Sequence, residues 1–177
     1  MVRARSQQSC DGGTLEVNLA WFAPQWLALV FALPLTAAAV EDAIRLRISN
    51  ITVALVLLAA IVTAFVLGIE PRMWQNVALL VAALVVGTPL FGRGILGGGD
   101  VKLLAATFAW FNLSAAPKLL MAVALSGGVL ALLIIALRSF NWSEETRQRA
   151  VVLKRRGGIP YGVAIAAGAL ITMALQR

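Results

Sequence analysis

The chain reads as an all-α, polytopic membrane protein with about six transmembrane helices, and three observations carry that reading. Of its 177 residues, 60% are hydrophobic and 13% charged, against about 25% charged in soluble domains. A mean hydropathy of +0.88 leaves more apolar side chains than one small soluble core can bury. The apolar residues are also gathered into runs that approach the ~20 residues needed to span a bilayer. Finally, the basic residues behind the net charge of +7 lie in short breaks between those runs. There they act as topology signals, so the lipid bilayer is an expected partner and nucleic acid is not.

Residues 1–18 read as a polar N-terminal tail, and residues 19–177 as one six-span membrane domain with a basic loop at 138–158. The first run, Leu19 to Val40, has no clear small-residue cleavage pattern at its end, so it is expected to be a retained span rather than a signal peptide. Pro34 in its interior predicts a kink. A charged break, Glu41 to Asn50, precedes the second run, Ile51 to Ile69. After the turn Glu70-Pro71-Arg72 comes the third run, Met73 to Phe91, and then a glycine-rich stretch.

The fourth run, Val101 to Leu113, is too short to cross ~30 Å of hydrocarbon, so it must begin below the membrane surface or borrow the residues around Asp100. The fifth continues from the turn Ser114 to Lys118 as far as Leu137, and Gly127-Gly128 at its centre predicts close helix packing. The last, Ile159 to Leu175, opens with Pro160 as a first-turn residue. Ten of the fifteen lysines and arginines fall on the side of 41–50, 92–100 and 138–158. The positive-inside rule makes that side cytoplasmic and puts both chain ends opposite.

With no histidine and a single cysteine, Cys10, the chain holds no Ser/His triad, Cys/His dyad or intrachain disulfide. A zinc site would have to be built from carboxylates and Cys10, so neither a metal nor a cofactor is expected. Carboxylates remain. Gly94-Ile95-Leu96-Gly97-Gly98-Gly99-Asp100-Val101-Lys102 sets a carboxylate and an ammonium between two apolar runs. Charge there costs at least ~2.5–3.5 kcal/mol, which points to function. The glycines suit positive φ or close backbone approach. The plainer reading is a glycine turn with Asp100 as helix N-cap.

Glu41 and Asp42 stand at a span end on the same face, whereas Glu144 and Glu145 belong to the polar loop. Two close carboxylates cannot both ionise easily, so one keeps a proton while the other stays charged, which divides acid and base work between them. Charge alone does not choose Asp42 over Glu41. An Asp42 paired at the interface with Arg45 or Arg47 is the plainer alternative.

Three motifs in order do choose. Asp42 with Ile48-Ser49-Asn50, then Gly97 to Asp100 of a Gly-x-Gly-Asp motif 58 residues after Asp42 and running on through Val101 to Ala106, then the closing Gly158 to Gly168, together resemble the bacterial prepilin peptidases. These are type IV leader peptidases, aspartyl proteases of the Gly-x-Gly-Asp type, and the resemblance covers roughly residues 25–175. It implies a hydrolase of the bacterial inner membrane serving type IV pilus assembly and protein secretion. Its activity would be removal of a short basic leader from prepilin-like precursors at the cytoplasmic face, with Asp42 and Asp100 catalytic. Gly97, Gly99, Lys102 and Asn50 are the expected supporting or substrate-binding residues.

Lys102 is expected either to lower the pKa of Asp100 or hold substrate, or else to snorkel to the interface. Ser49 stands where the family usually has proline. Larger members carry an additional cytoplasmic domain with paired cysteines, linked to N-methylation. This sequence resembles the short, Tad-pilus-type members without it. Two competing readings are a small proton-coupled transporter, with Asp100 as a relay among broken helices, and a non-catalytic subunit of a pilus or secretion assembly.

Overall fold

The structure is a computed structural model and describes residues 25–68, 71–140 and 158–175. The polar tail, the start of the first apolar run and the basic segment 141–157 lie outside the described residues. Among the described residues six α-helices follow one another: α1 (Gln25–Arg45), α2 (Asn50–Leu67), α3 (Trp74–Gly92) behind a 3-10 turn at Pro71–Met73, α4 (Gly98–Phe108), α5 (Ala116–Ser139) and α6 (Tyr161–Leu175). Helices α2, α3 and α5 are each long and apolar enough to cross a bilayer, and α6 is a shorter apolar helix. The protein is an all-helical, polytopic membrane protein.

Two helices depart from the expected runs. The first does not stop at Val40 but continues to Arg45, because Glu41 and Asp42 find hydrogen-bond donors on neighbouring segments and need no exit to solvent. The fourth begins at Gly98 and has 11 residues, about 16 Å at 1.5 Å per residue, roughly half the hydrocarbon thickness. The rest of that run turns instead of staying helical. Trp110 and Phe111 donate their backbone N–H groups to Thr107 and Phe108. The Trp110 indole N–H reaches the Val56 carbonyl at 3.1 Å, and its ring packs on Phe31 with centroids 4.5 Å apart. Irregular backbone at membrane depth persists where side chains and neighbouring helices satisfy it.

The short helices are the central ones. Helix α4 packs on α3, α2 and α6, while α6 packs on α5, α1 and α4. Phe31, Leu35, Val56, Leu103, Trp110, Phe111 and Leu119 form the sealed interior. Large side chains such as Phe65, Val85 and Val129 point outward, toward lipid. Small residues let backbones meet inside. The tightest contact of α5 with α6 lies at Gly168, where a Cβ would stand 2.6 Å from the Val123 amide nitrogen. The sequence put it at Gly127-Gly128. Gly127 instead faces Ala164 at an ordinary 3.6 Å, and Gly128 meets open space.

Pro34 sits inside α1, which stays helical through it. Pro160 precedes α6 rather than opening it, and its carbonyl accepts the Val163 N–H. The end of α1, the starts of α2, α4 and α6, and Arg138 at the end of α5, which donates to the Gly158 carbonyl at 3.3 Å, gather at one end of the bundle. At the other end, Asn76 donates to the Ala109 carbonyl at 3.0 Å.

Candidate active site: two aspartates where three helices end

Asp42 lies in the last turn of α1 and is 4% exposed. Its Oδ2 accepts the backbone N–H of Gly162, in the first turn of α6, at 2.6 Å. Both aspartates stand just beyond the apolar runs and outside the three helices that are both long and apolar enough to span. Burial pushes the Asp42 carboxyl above the usual range, and the N–H groups of Gly162 and Val163 pull against it. The interfacial pairing with Arg45 or Arg47 is not what holds Asp42. Arg45 acts on Glu41 instead, and only weakly.

Asp100 is the third residue of α4, and its Oδ2 reaches back to the Gly97 N–H at 3.2 Å. Gly97, not Asp100, is the N-cap. Burial first, and the nearby Asp42 charge second, push Asp100 up to about 6 against the pull of the Gly97 N–H. The fold thus brings together two carboxylates 58 residues apart and close enough to feel each other's charge. Glu41 turns away from this pair. Its Oε2 accepts from the Ser49 N–H at 3.0 Å and from the Thr52 hydroxyl at 2.9 Å, and these donors hold its carboxyl below the usual range.

A family model described as the type IV leader peptidase family matches residues 29–132, which take in Asp42, the glycine segment and Asp100. The chain belongs to the type IV leader peptidase family. No curated protein and no solved structure matches it. Helix α6, which supplies the partner of Asp42, lies beyond the matched residues.

In this leader peptidase family member the glycines do two different things. Positive φ is found at Gly94 (+72°), where the chain leaves α3, and not in the triplet. The triplet serves close approach. A Cβ on Gly97 would meet Asp100 Oδ2 at 2.5 Å, and one on Gly99 would meet the Ile48 Cβ at 3.1 Å. Lys102 donates its Nζ to Asn50 Oδ1 at 3.0 Å, joining two of the expected supporting residues at the α4–α2 junction. Burial, Asp42 and Gly97 set the Asp100 carboxyl, and Lys102 is not among those causes.

Ser49, in the place of the family's usual proline, has φ −67°, the value a proline ring would impose. The turn keeps a proline-compatible backbone and gains two bonds that proline cannot make. The Ser49 N–H goes to Glu41, and its hydroxyl caps α2 by accepting the Ile51 N–H at 3.1 Å.

Ile48 and Gly162 stood in the motifs that carried the resemblance, but their roles, and that of Glu41, escaped the sequence reading. Gly162 meets Asp42 across 120 residues, and no local pattern announces such a contact. Ser49 followed by a helix-forming run was a cap signal, and Glu41 is the acceptor that this cap's own N–H requires.

Proposed function

We propose that the protein is a membrane-embedded aspartyl endopeptidase that removes the short basic leader from prepilin-like precursors at the cytoplasmic membrane face, with Asp42 and Asp100 as its catalytic pair. The observation that carries this reading is the convergence of these two carboxylates, each on a helix end and each raised by burial, within a chain of the leader peptidase family. A carboxylate pair that shares one proton can hydrolyse a peptide without a covalent intermediate. The ionised member takes a proton from a water, whose oxygen adds to the scissile carbonyl carbon while the protonated member gives its proton to the carbonyl oxygen. The tetrahedral diol then collapses. Its C–N bond breaks, and a carboxyl returns a proton to the leaving nitrogen.

The surroundings favour Asp42 as the ionised member in this cycle, because two backbone N–H groups at the start of α6 face it and stabilise charge there. Asp100, pushed up to about 6, is the better proton holder. Substrate that excludes water raises both further and keeps one proton on the pair at neutral pH.

The test is processing of a prepilin precursor by purified protein in detergent, followed by gel shift. Asp42→Asn and Asp100→Asn each abolish cleavage, at least about 1000-fold, while the protein remains folded in the membrane, since the amide keeps the volume but cannot exchange the proton. Near-normal cleavage by either variant overturns the two-aspartate mechanism, and leaves the transporter or assembly-subunit readings.

A further inference from the structure

The short turn between α1 and α2 does more than connect them. Ile48, half-buried in that turn, lies against two helix starts at once. A Cβ on Gly99 of α4 would come within 3.1 Å of the Ile48 Cβ, and a Cβ on Gly162 of α6 within 2.8 Å of its Cδ1. Gly99 directly precedes Asp100, and Gly162 supplies the N–H that holds Asp42. One branched side chain therefore stands between the start of α4, which bears Asp100, and the start of α6, whose Gly162 holds Asp42.

The turn that carries Ile48 is itself fixed. Leu46 takes a positive φ of 51°, uncommon for a side-chain-bearing residue, and donates its N–H to the Asp42 carbonyl at 2.8 Å. Three residues on, the Ser49 N–H, and beyond it the Thr52 hydroxyl, both end on one oxygen, Glu41 Oε2. Ile48 is stiff at χ1 because it branches at Cβ, so a fixed backbone fixes the wedge.

We infer that Glu41 and Ile48 are positioning residues for the aspartate pair: Glu41 clamps the 46–49 turn, and Ile48 acts as a spacer between the starts of α4 and α6. This deepens the aspartyl-peptidase reading and rests on it. Neither residue touches the scissile bond. Glu41 works here as a double hydrogen-bond acceptor, both donors reaching a single oxygen with two lone pairs.

The experiment measures kcat, KM and the pH dependence of kcat/KM for cleavage of a prepilin precursor by the full-length protein in detergent. Ile48→Ala lets the two helix starts shift and lowers kcat about 10–100-fold with KM within about twofold, the effect expected of a small misplacement of reacting groups. The charged group that faces Asp100 from α1 is Asp42; Lys102, on α4 itself, is tied to Asn50. Loss of the spacer lets the starts of α4 and α6 close up, which strengthens the repulsion from Asp42, so the alkaline limb of the pH profile moves to higher pH. Ile48→Val keeps the β-branch against Gly99 but loses the Cδ1 against Gly162, so its kcat falls by less than that of Ile48→Ala.

Glu41→Ala reproduces the Ile48→Ala behaviour, and Glu41→Gln, whose carbonyl oxygen can accept the same two bonds, stays near the parent. Should Ile48→Ala not accumulate, Ile48→Val and the Glu41 pair carry the test. An unchanged kcat and pH limb in Glu41→Ala, or a loss in Glu41→Gln as deep as in Glu41→Ala, overturns the inference. Those outcomes leave the peptidase reading intact as long as the two Asp→Asn variants are inactive, and active Asp→Asn variants sink that reading whatever the spacer does.

Discussion

The two aspartates are held in contrasting ways. Asp100 is anchored by its own turn, with a carboxylate that reaches back three residues to Gly97. Asp42 is anchored by the tertiary fold, through a bond to Gly162 across 120 residues and a glycine surface that leaves no room for a methyl group. A locally held group can swing about its own side-chain torsions and return. One held by packing moves only if helices move. The site pairs a rigid partner with an adjustable one, and the adjustable side follows the glycine-rich 92–99 segment and borders an apolar cavity of about 400 Å³ lined by Leu96, Val101, Leu104 and residues of α3 and α5.

The sharpest way to break this comparison is to add one methyl group on each side. In Gly162→Ala the new Cβ would stand 2.8 Å from Ile48 Cδ1 and 3.0 Å from the Asp42 Cβ, an atom fixed to the α1 backbone, so relief draws on a shift of α6, α1 or the 46–49 turn. Cleavage falls about 100-fold, on the scale of a misplacement near 1 Å. In Gly97→Ala the contact is with Asp100 Oδ2, the end of a side chain that can rotate, and Gly97 has an ordinary φ of −71°. There the loss is about tenfold or less. Rates normalised to folded protein in the membrane decide it, and a larger loss for Gly97→Ala than for Gly162→Ala reverses the assignment of rigid and adjustable partners.

A second prediction uses titration. Asp100 stands raised to about 6, and Asp42 is raised as well. A raised carboxyl keeps its proton to higher pH, so the singly protonated pair is present below about 6 in the free enzyme and is lost above it as the second proton leaves. At the acid end activity falls again when both carboxyls are protonated. The kcat/KM profile of the free enzyme is therefore bell-shaped with its alkaline limb near 6, and the limbs belong to the pair rather than to either residue. A profile flat from pH 5 to 8 contradicts a shared proton.

The same contrast explains what was legible in the sequence. Composition and runs gave the helical membrane fold, because lipid demands continuous apolar segments whatever their neighbours. Asp100 stood out because its glycines and its turn are contiguous in the chain. Asp42 could not be separated from Glu41 by charge, since the difference between them is which way each side chain leaves one helical turn. Glu41 goes to the start of α2, and Asp42 to the start of α6. The end of α1 at Arg45, rather than Val40, was hidden for the same reason. The partners that let two carboxylates stay in the helix arrive from beyond it, 8 and 11 residues on for Glu41 and 120 residues on for Asp42.

The smallest effect concerns the link between the adjustable side and the rest of the bundle. Lys102 and Asn50 are both on exposed surface and share one bond at 3.0 Å. An exposed polar contact is worth about 0–1 kcal/mol, so Lys102→Met lowers cleavage by about fivefold at most. Asn50→Ala does the same, although Asn50 opens α2 while Lys102 lies on α4. If the bond between them is what matters, the double variant is no slower than either single one, the non-additivity expected of residues acting through one contact. Gel-shift rates for the three variants decide between two roles for the ammonium. A loss near 100-fold in Lys102→Met with Asn50→Ala close to the parent would mean that Lys102 acts on the substrate backbone, and the adjustable half of the site would then hold a binding group as well as a proton.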